Sequence, residues 1–291
     1  MNIGMMGMGI IGKTTAQVME KKHKIYPYDK YKGPYNSQEH LTELVKNSEV
    51  IFVSVPTPMK ISGEIDYNYI YDALNLLNHS FEENKKDKKK VLIVIRSTAV
   101  SGTTDKFARE YDFKFAFNPE FLTERRALED MNHTKHVVIG VEDEESQKKL
   151  LDVYKPLFPD ARYIIVDRKT AEMIKYATNA MLASQVSVAN ELYQICSSLG
   201  IDYNVVKEAM LFHENMATNI NVPGPDGDLG FGGKCLPKDI NALIYLSREK
   251  GYRPHLLESV WALNEKVRTK KDWLDIPGAV SGNSFNNKSN D

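Results

Sequence analysis

Residues 1–12 read MNIGMMGMGIIG, and residues 24–29 read KIYPYD. Asn2–Met6 is a short apolar run of strand type. The next six residues, Gly7-Met8-Gly9-Ile10-Ile11-Gly12, form a G-x-G-x-x-G between that strand and a stretch of helix type. In that context Gly7 permits the tight turn, Gly9 lets the backbone approach a pyrophosphate, and Gly12 lets the helix pack close to the strand. Ile10 and Ile11 open the helix, whose first N–H groups and partial positive charge face the phosphates. A second strand, Lys24–Tyr28, ends in Asp29, 17 residues past Gly12. A carboxylate there accepts a hydrogen bond from a ribose 2′-OH and repels a 2′-phosphate, so the expected cofactor is NAD rather than NADP.

Outward from this turn, further strands are expected at Val50–Ser54, Val91–Ile95, Phe113–Phe117, His136–Gly140 and Tyr163–Val166, with covering helices such as SQEHLTELVKN between them. Several of these are continuous apolar runs, the pattern of parallel strands covered on both faces. The fold class is α/β, a doubly wound, mostly parallel Rossmann-type sheet over residues 1–168. Ligands of such sheets lie outside the carboxyl ends of the strands. Polar residues at three of those ends therefore mark the crevice: Ser54-Val55-Pro56-Thr57-Pro58, Arg96-Ser97-Thr98, and Asn118-Pro119-Glu120-Phe121. The charged run EENKKDKKK at 82–90 reads as a solvated loop before the fourth strand.

From Thr170, a plausible N-cap, the pattern turns helical: Met173, Ile174, Ala177, Met181 and Leu182 fall at helical spacing, and Gly200 is a plausible C-cap. Lys175 and Asn179 lie four apart, hence on one face. Cys196 sits in an apolar run and reads as a buried small hydrophobe. A third helical region, from about 240 to 274, carries an apolar stripe that packs on the long helix or on a second subunit. Before it stands GFGGKCLPKD, residues 230–239, holding Cys235, one of two cysteines. A structural cysteine needs neither the three preceding glycines nor the lysine and aspartate that follow within a helical turn.

The chain has 291 residues, with 38 Lys+Arg against 39 Asp+Glu, so there is no electrostatic case for nucleic acid or a membrane surface as partner. Two cysteines make no disulfide framework and fit a reducing cytoplasm. The first residues lack a basic n-region and cleavage site, and no apolar run reaches the roughly 18–20 residues of a membrane span. A soluble cytoplasmic protein without a metal is expected.

GMGIIG, VSVPTP, STAVSGTT, NPEFLTERRALED, EMIKYATNAMLA and GFGGKCLPKD occur in the order found in the UDP-glucose/GDP-mannose dehydrogenases, which the chain resembles over about residues 1–270. The resemblance implies an NAD-dependent enzyme that oxidises the primary alcohol of a nucleotide sugar twice, UDP-glucose 6-dehydrogenase being the nearest type. It implies that Cys235 forms a thiohemiacetal and then a thioester. Lys175 and Asn179 would stabilise charge on the sugar oxygen, Asp239 and Glu120 would handle protons, and Thr98 would position the hydrolytic water. Cofactor contacts would come from Gly7, Gly9, Ile10, Ile11, Gly12, Asp29, Val55, Pro56, Thr57, Thr98, Glu120 and Lys238. Substrate contacts would come from Glu120, Phe121, Leu122, Lys175, Asn179, Phe231 and Gly232. Lys238, facing the site, would also favour the thiolate of Cys235, and the loop glycines would let the substrate carbon reach sulfur.

The implied organisation is an NAD-binding domain at 1–168, an all-helical domain of dimerisation type at 169–275 pairing into a homodimer, and a disordered tail at 276–291. The sequence departs from the family in having no arginine in ENMATNINVPGPD and a PGPDGD loop. No stretch corresponds to the family's carboxyl-terminal nucleotide-binding domain, so a short form is expected. Two other readings stand beside this one: a β-hydroxyacid dehydrogenase-like enzyme making a single oxidation without a thiol, and a catalytically weakened NAD-binding remnant that dimerises.

Overall fold

A computed structural model describes residues 1–214 and 220–281. The first element is β1 (Asn2–Met6), followed by α1 (Ile10–Met19), β2 (Lys24–Tyr28), α2 (Gln38–Asn47) and β3 (Val50–Val53). Next come α3 (Asn68–Glu83), β4 (Leu92–Ile95), α4 (Thr103–Glu110), β5 (Lys114–Phe117), α5 (Ala127–Asn132), β6 (His136–Gly140), α6 (Glu144–Tyr154) and β7 (Arg162–Val166). The chain ends in α7 (Arg168–Ser198), α8 (Tyr203–Leu211), α9 (Cys235–Glu249) and α10 (His255–Val267). All seven expected strands are present, with bounds shifted by at most a residue. Among the described residues no helix is long and apolar enough to cross a membrane.

The chain divides into two compact units, Met1–Thr57 with Tyr67–Lys175, and Pro58–Asp66 with the residues from Tyr176 onward. The division between the two units runs at 175/176, inside α7. The first unit is a seven-stranded sheet of order β2-β1-β3-β4-β5-β6-β7. Strands β1 to β5 are parallel, β6 meets β5 antiparallel at Gly140 and Phe117, and β7 runs parallel to β6. Alternation along each strand feeds two cores: Ile51, Val53, Ile93 and Ile95 point to the face covered by α2, α3 and α4. Val50, Phe52, Leu92 and Val94 point to the face covered by α1, α5 and α6.

Ser37 caps α2 through the His40 amide, 3.2 Å away. Thr170 does not cap α7. Asp167 does, accepting from the Thr170 amide at 2.9 Å and the Thr170 hydroxyl at 2.6 Å. A carboxylate outcompetes a hydroxyl for a helix N-terminus because it also meets the macrodipole. Gly200 has φ +70°, and the Ile201 amide donates back to Cys196 O at 2.9 Å, closing α7 as expected. The run at 82–90 differs from a plain solvated loop: Glu82 and Glu83 end α3, and Lys86 donates to Lys46 O and Ser48 O at 3.0 and 2.9 Å.

The second unit is helical, with one core around Ala183, Phe231, Ile240, Ile244 and Val260 and another around Ala189, Cys196, Tyr203, Ile220 and Val222. It also takes in Pro58–Asp66. Met59 N donates to Ala279 O at 2.9 Å, Ser281 N donates to Met59 O at 2.8 Å, and the Ser281 hydroxyl donates to Asp66 at 2.8 Å. Within the expected tail, Ala279 is fully buried and Val280 bridges Met59. Residues 282–291 lie outside the described residues.

Candidate active site

In the sheet order the direction of strand addition reverses beside β1, between β1 and β3, and crevices of open α/β sheets open at such a point. The glycine turn occupies it. Gly7 has φ +95°, and a Cβ there would stand 2.4 Å from Ser54 O; a Cβ on Gly12 would stand 1.8 Å from Gly7 O. These two glycines are required by the protein itself. Gly9 has an ordinary φ of −69° and no atom within 4 Å of a hypothetical Cβ. What its missing side chain leaves is open space over the first turn of α1, where Ile10 and Ile11 begin the helix and no side chain caps it. The space and amides fit a dinucleotide pyrophosphate.

Asp29 is 9% exposed and already engaged: Oδ2 accepts from the Met8 amide at 2.7 Å, and Oδ1 from the Tyr31 and Lys32 amides at 2.9 and 3.0 Å. A carboxylate offers about four acceptor positions, so one remains for a ribose hydroxyl. Asp29 thereby also holds the glycine turn against the end of β2.

At the end of β3, Val55, Pro56 and Thr57 follow Ser54, with Thr57 buried. Ser97 staples this segment to β4. Its hydroxyl accepts from the Val55 amide at 2.9 Å and donates to Val55 O at 2.7 Å. Thr98 follows, half-buried. Arg96 precedes Ser97 at the end of β4. It is buried, donating to Asn118 Oδ1 and, at 3.1 Å, to the Tyr154 hydroxyl, while Asn118 Nδ2 donates to Val138 O at 2.7 Å. A charged group at the end of a buried strand needs partners, and these supply them at Nη1, while Nε is buried without one.

Glu120, Phe121 and Leu122 line a cavity of about 390 Å³ in the first unit, together with Arg96, Arg126 and His136. Lys175, 5% exposed, places Nζ 3.1 Å from Glu120 Oε1 and 5.6 Å from the centre of the Phe121 ring. Glu120 Oε2 accepts from the Leu122 amide at 2.7 Å. One turn earlier on α7, Glu172 is fully buried and accepts from the amides of Gly102 and Thr104 and from the Thr104 hydroxyl, at 2.5, 2.7 and 2.6 Å. Burial pushes its carboxyl up to about 7, and these three bonds oppose the rise. Sequence reading passed over Glu172; its signal was a glutamate in the apolar-periodic part of α7.

The second unit carries the thiol. Cys235 is the first residue of α9 and exposed, and no side chain caps the helix start. A helix N-terminus favours thiolate. Asp239 is 2% exposed and takes hydrogen bonds from Lys238 Nζ at 2.6 Å and from Asn179 Nδ2. Lys238 is thus committed to the neighbouring carboxylate and buried, which differs from a lysine facing the thiol.

Two of the three glycines before Cys235 are required by the protein's own packing. A Cβ on Gly230 would stand 2.3 Å from Asn264 Oδ1, and one on Gly232 would stand 1.9 Å from Arg268 Nη2. Gly233, with φ +74°, meets nothing within 4 Å. The loop is held by side chains that sequence reading missed. Asn190 Oδ1 accepts from Gly230 N at 2.9 Å, Asp272 from Gly233 N at 3.0 Å, and buried Arg268 donates to Asp226 at 2.6 Å and to Asp272 at 3.1 Å. Phe231, expected at the substrate, instead buries its ring in the core beside Ile240 and Val260. Asp228 accepts from the Leu229 and Lys270 amides and the Thr269 hydroxyl. Burial works to raise its pKa, but the hydrogen bonds outweigh it and bring it to about 2. Among the described residues no group of three or more His, Cys, Asp or Glu is placed to hold a metal ion.

Two family models match the chain. Residues 25–158 match the NAD binding domain of the UDP-glucose/GDP-mannose dehydrogenase family, and residues 169–266 match its central domain. The UDP-glucose 6-dehydrogenase of Rickettsia bellii is 36% identical over 230 residues, 77% of this chain and 51% of the relative. UDP-glucose 6-dehydrogenase TuaD of Bacillus subtilis is 31% identical over 251 residues, 83% of this chain and 52% of the relative. The chain therefore spans about half the length of the curated relatives it matches. Among solved structures, a UDP-glucose dehydrogenase from Pyrobaculum islandicum superposes with a TM-score of 0.79 at 28% identity, covering 91% of this chain and 68% of that one.

Proposed function

The chain belongs to the UDP-glucose/GDP-mannose dehydrogenase family, and from that premise we propose that it oxidises the primary alcohol of a nucleotide sugar, UDP-glucose in the first instance, to the carboxylate. The observation that carries the reading is the exposed thiol of Cys235 opening α9, with Asp239 hydrogen-bonded to Lys238 and Asn179 within the same unit. A single oxidation of an alcohol has no use for a thiol.

The glycine turn and Asp29 would hold NAD, which when bound would supply the acceptor for one hydride, so that two NAD are used in turn for each sugar. Lys175 and Asn179 each offer an N–H donor to the sugar oxygen as it gains negative charge. The sulfur of Cys235 adds to the aldehyde carbon, a C–S bond forms, and the former carbonyl oxygen takes a proton. Loss of the second hydride from that carbon, to a second NAD, together with loss of the hydroxyl proton leaves a thioester. Water then attacks, the C–S bond breaks, and the thiolate leaves with the carboxylic acid formed. Glu120 and Asp239 serve as the carboxylates that hold and pass these protons.

The test is stoichiometric. Two NADH should form per UDP-glucose consumed, with the sugar acid as product; one NADH per sugar, with aldehyde accumulating, would overturn the two-step reading. We also propose pairing with a second copy through α7. Met181, Val188 and Ile195 recur at seven-residue spacing and are 62%, 59% and 46% exposed. Sedimentation should return twice the chain mass, and a monomer at micromolar concentration would remove this part.

A further inference from the structure

Three segments of the first unit bear on the proposed chemistry: the Thr98 end of β4, the Glu120 end of β5, and the first turns of α7 with Lys175. Lys175 reaches Glu120 directly. The chain after Thr98 runs through buried Ala99, then Val100, whose amide donates to the Tyr67 hydroxyl at 2.9 Å, and reaches the start of α4 at Gly102. Gly102 is the N-cap of α4 and has no side chain to accept from the first-turn amides. Glu172 supplies the missing acceptor from another helix, taking the Gly102 and Thr104 amides and the Thr104 hydroxyl.

We propose that Glu172 is a positioning residue: by capping α4 from α7, it fixes the Thr98 end of β4 against the helix turn that presents Lys175. The proposal rests on the function given above. Glu172 lies three residues before Lys175, so its carboxylate and the Lys175 ammonium leave the same helix about one turn apart. Other contacts at this end of α7 bind its rim. Arg168 pairs with Asp105 at 2.6 Å, Lys169 with Asp105 at 3.7 Å, and Ser101 donates to Lys169 O at 2.9 Å. Glu172 is the fully buried member, where water cannot replace a lost bond. A shift of the α4 start by a fraction of an ångström passes to Thr98 along four residues of packed chain.

Glu172→Gln keeps the size but turns one acceptor into a donor facing donors. Below its melting temperature, this variant should lose about 10- to 100-fold in kcat while KM for the sugar stays within about threefold. The NAD Kd should rise several-fold. In a Lys175→Ala background the same change should cost little further kcat, since Glu172 acts through the placement of Lys175. An equal loss in both backgrounds, or a lowered melting temperature with parental kcat, would overturn the proposal and leave Glu172 a structural cap. Should the parent bind NAD yet oxidise no nucleotide sugar, the proposed function falls, and the NAD Kd still reads Glu172. A parental Kd in Glu172→Gln would then refute the positioning role.

Discussion

The side chain of Asn264 pairs with both backbone groups of Phe231: Oδ1 accepts from the amide at 2.7 Å, and Nδ2 donates to the carbonyl at 3.0 Å. The amide thus completes, from α10, the hydrogen bonding that a strand would otherwise give the loop before Cys235. Asn264→Ala leaves two buried groups without partners, each costing about 1–3 kcal/mol. The variant should unfold at lower urea, and the rate of Cys235 alkylation by iodoacetamide should change as the loop loosens. Parental stability would show that the loop is held without Asn264.

Cys235→Ala should stop the reaction before the acid. The aldehyde has no second heteroatom on its carbon until the thiol adds, so no thioester forms. Mass spectrometry of the parent, quenched during turnover, should show a covalent sugar adduct on Cys235 that the variant lacks. Sugar acid made by the variant at the parental rate would remove the covalent route.

Asp29 accepts from three backbone amides in addition to its proposed role at the cofactor. Asp29→Ala should therefore do more than cost the about 1–3 kcal/mol of a hydrogen bond to a charged acceptor in NAD affinity. It should also lower the melting temperature, because the Met8, Tyr31 and Lys32 amides lose their acceptor. Discrimination against NADP should shrink as the repelling charge goes. Titration with both dinucleotides and a thermal scan check the two effects separately. An unchanged cofactor preference would mean that another group reads the ribose.

Two buried carboxyls act on stability in opposite directions with pH. Asp228 sits at about 2 in the fold against an ordinary 3.8, so the native state binds fewer protons between those values. Its contribution is complete above about pH 4 and is lost as the pH falls toward 2. Glu172 sits at about 7 against 4.5, so the native state binds more protons there, and stability falls as pH rises from about 4.5 to 7. Urea midpoints measured from pH 2 to 8 should show both slopes. Asp228→Asn should flatten the acid limb and Glu172→Gln the neutral one; a parental curve flat across both windows would contradict both assignments.

The sheet and its cofactor turn were legible because their signals are local. Gly7, Gly12 and the apolar runs of β3 and β4 carry their reasons within a few residues. Asp167 was passed over as the cap of α7 because the spacing rule admits Thr170 equally well, and only geometry shows which side chain reaches the amides. Asn190, Asn264 and Arg268 left no local mark. Their partners are backbone groups or acids of a loop 4 to 42 positions away, as with Asn190 and Gly230 or Arg268 and Asp226. The three glycines before Cys235 were correctly read as exceptional, yet two of them answer to Asn264 and Arg268 rather than to a ligand.

The short excursion Pro58–Asp66 makes the helical half discontinuous in the gene. Its Met59 supplies the backbone partner of Ala279 and Ser281, and Ile65 is 3% exposed. A fragment begun at Tyr176 would lack nine residues encoded more than a hundred codons upstream, and its segment Ala279–Ser281 would have nothing to pair with. The first half cut out alone would carry the same nine residues as an orphan. No single cleavage point yields two self-sufficient pieces, so a swap of halves between relatives at one crossover joins Met59 from one donor to Ala279–Ser281 from the other.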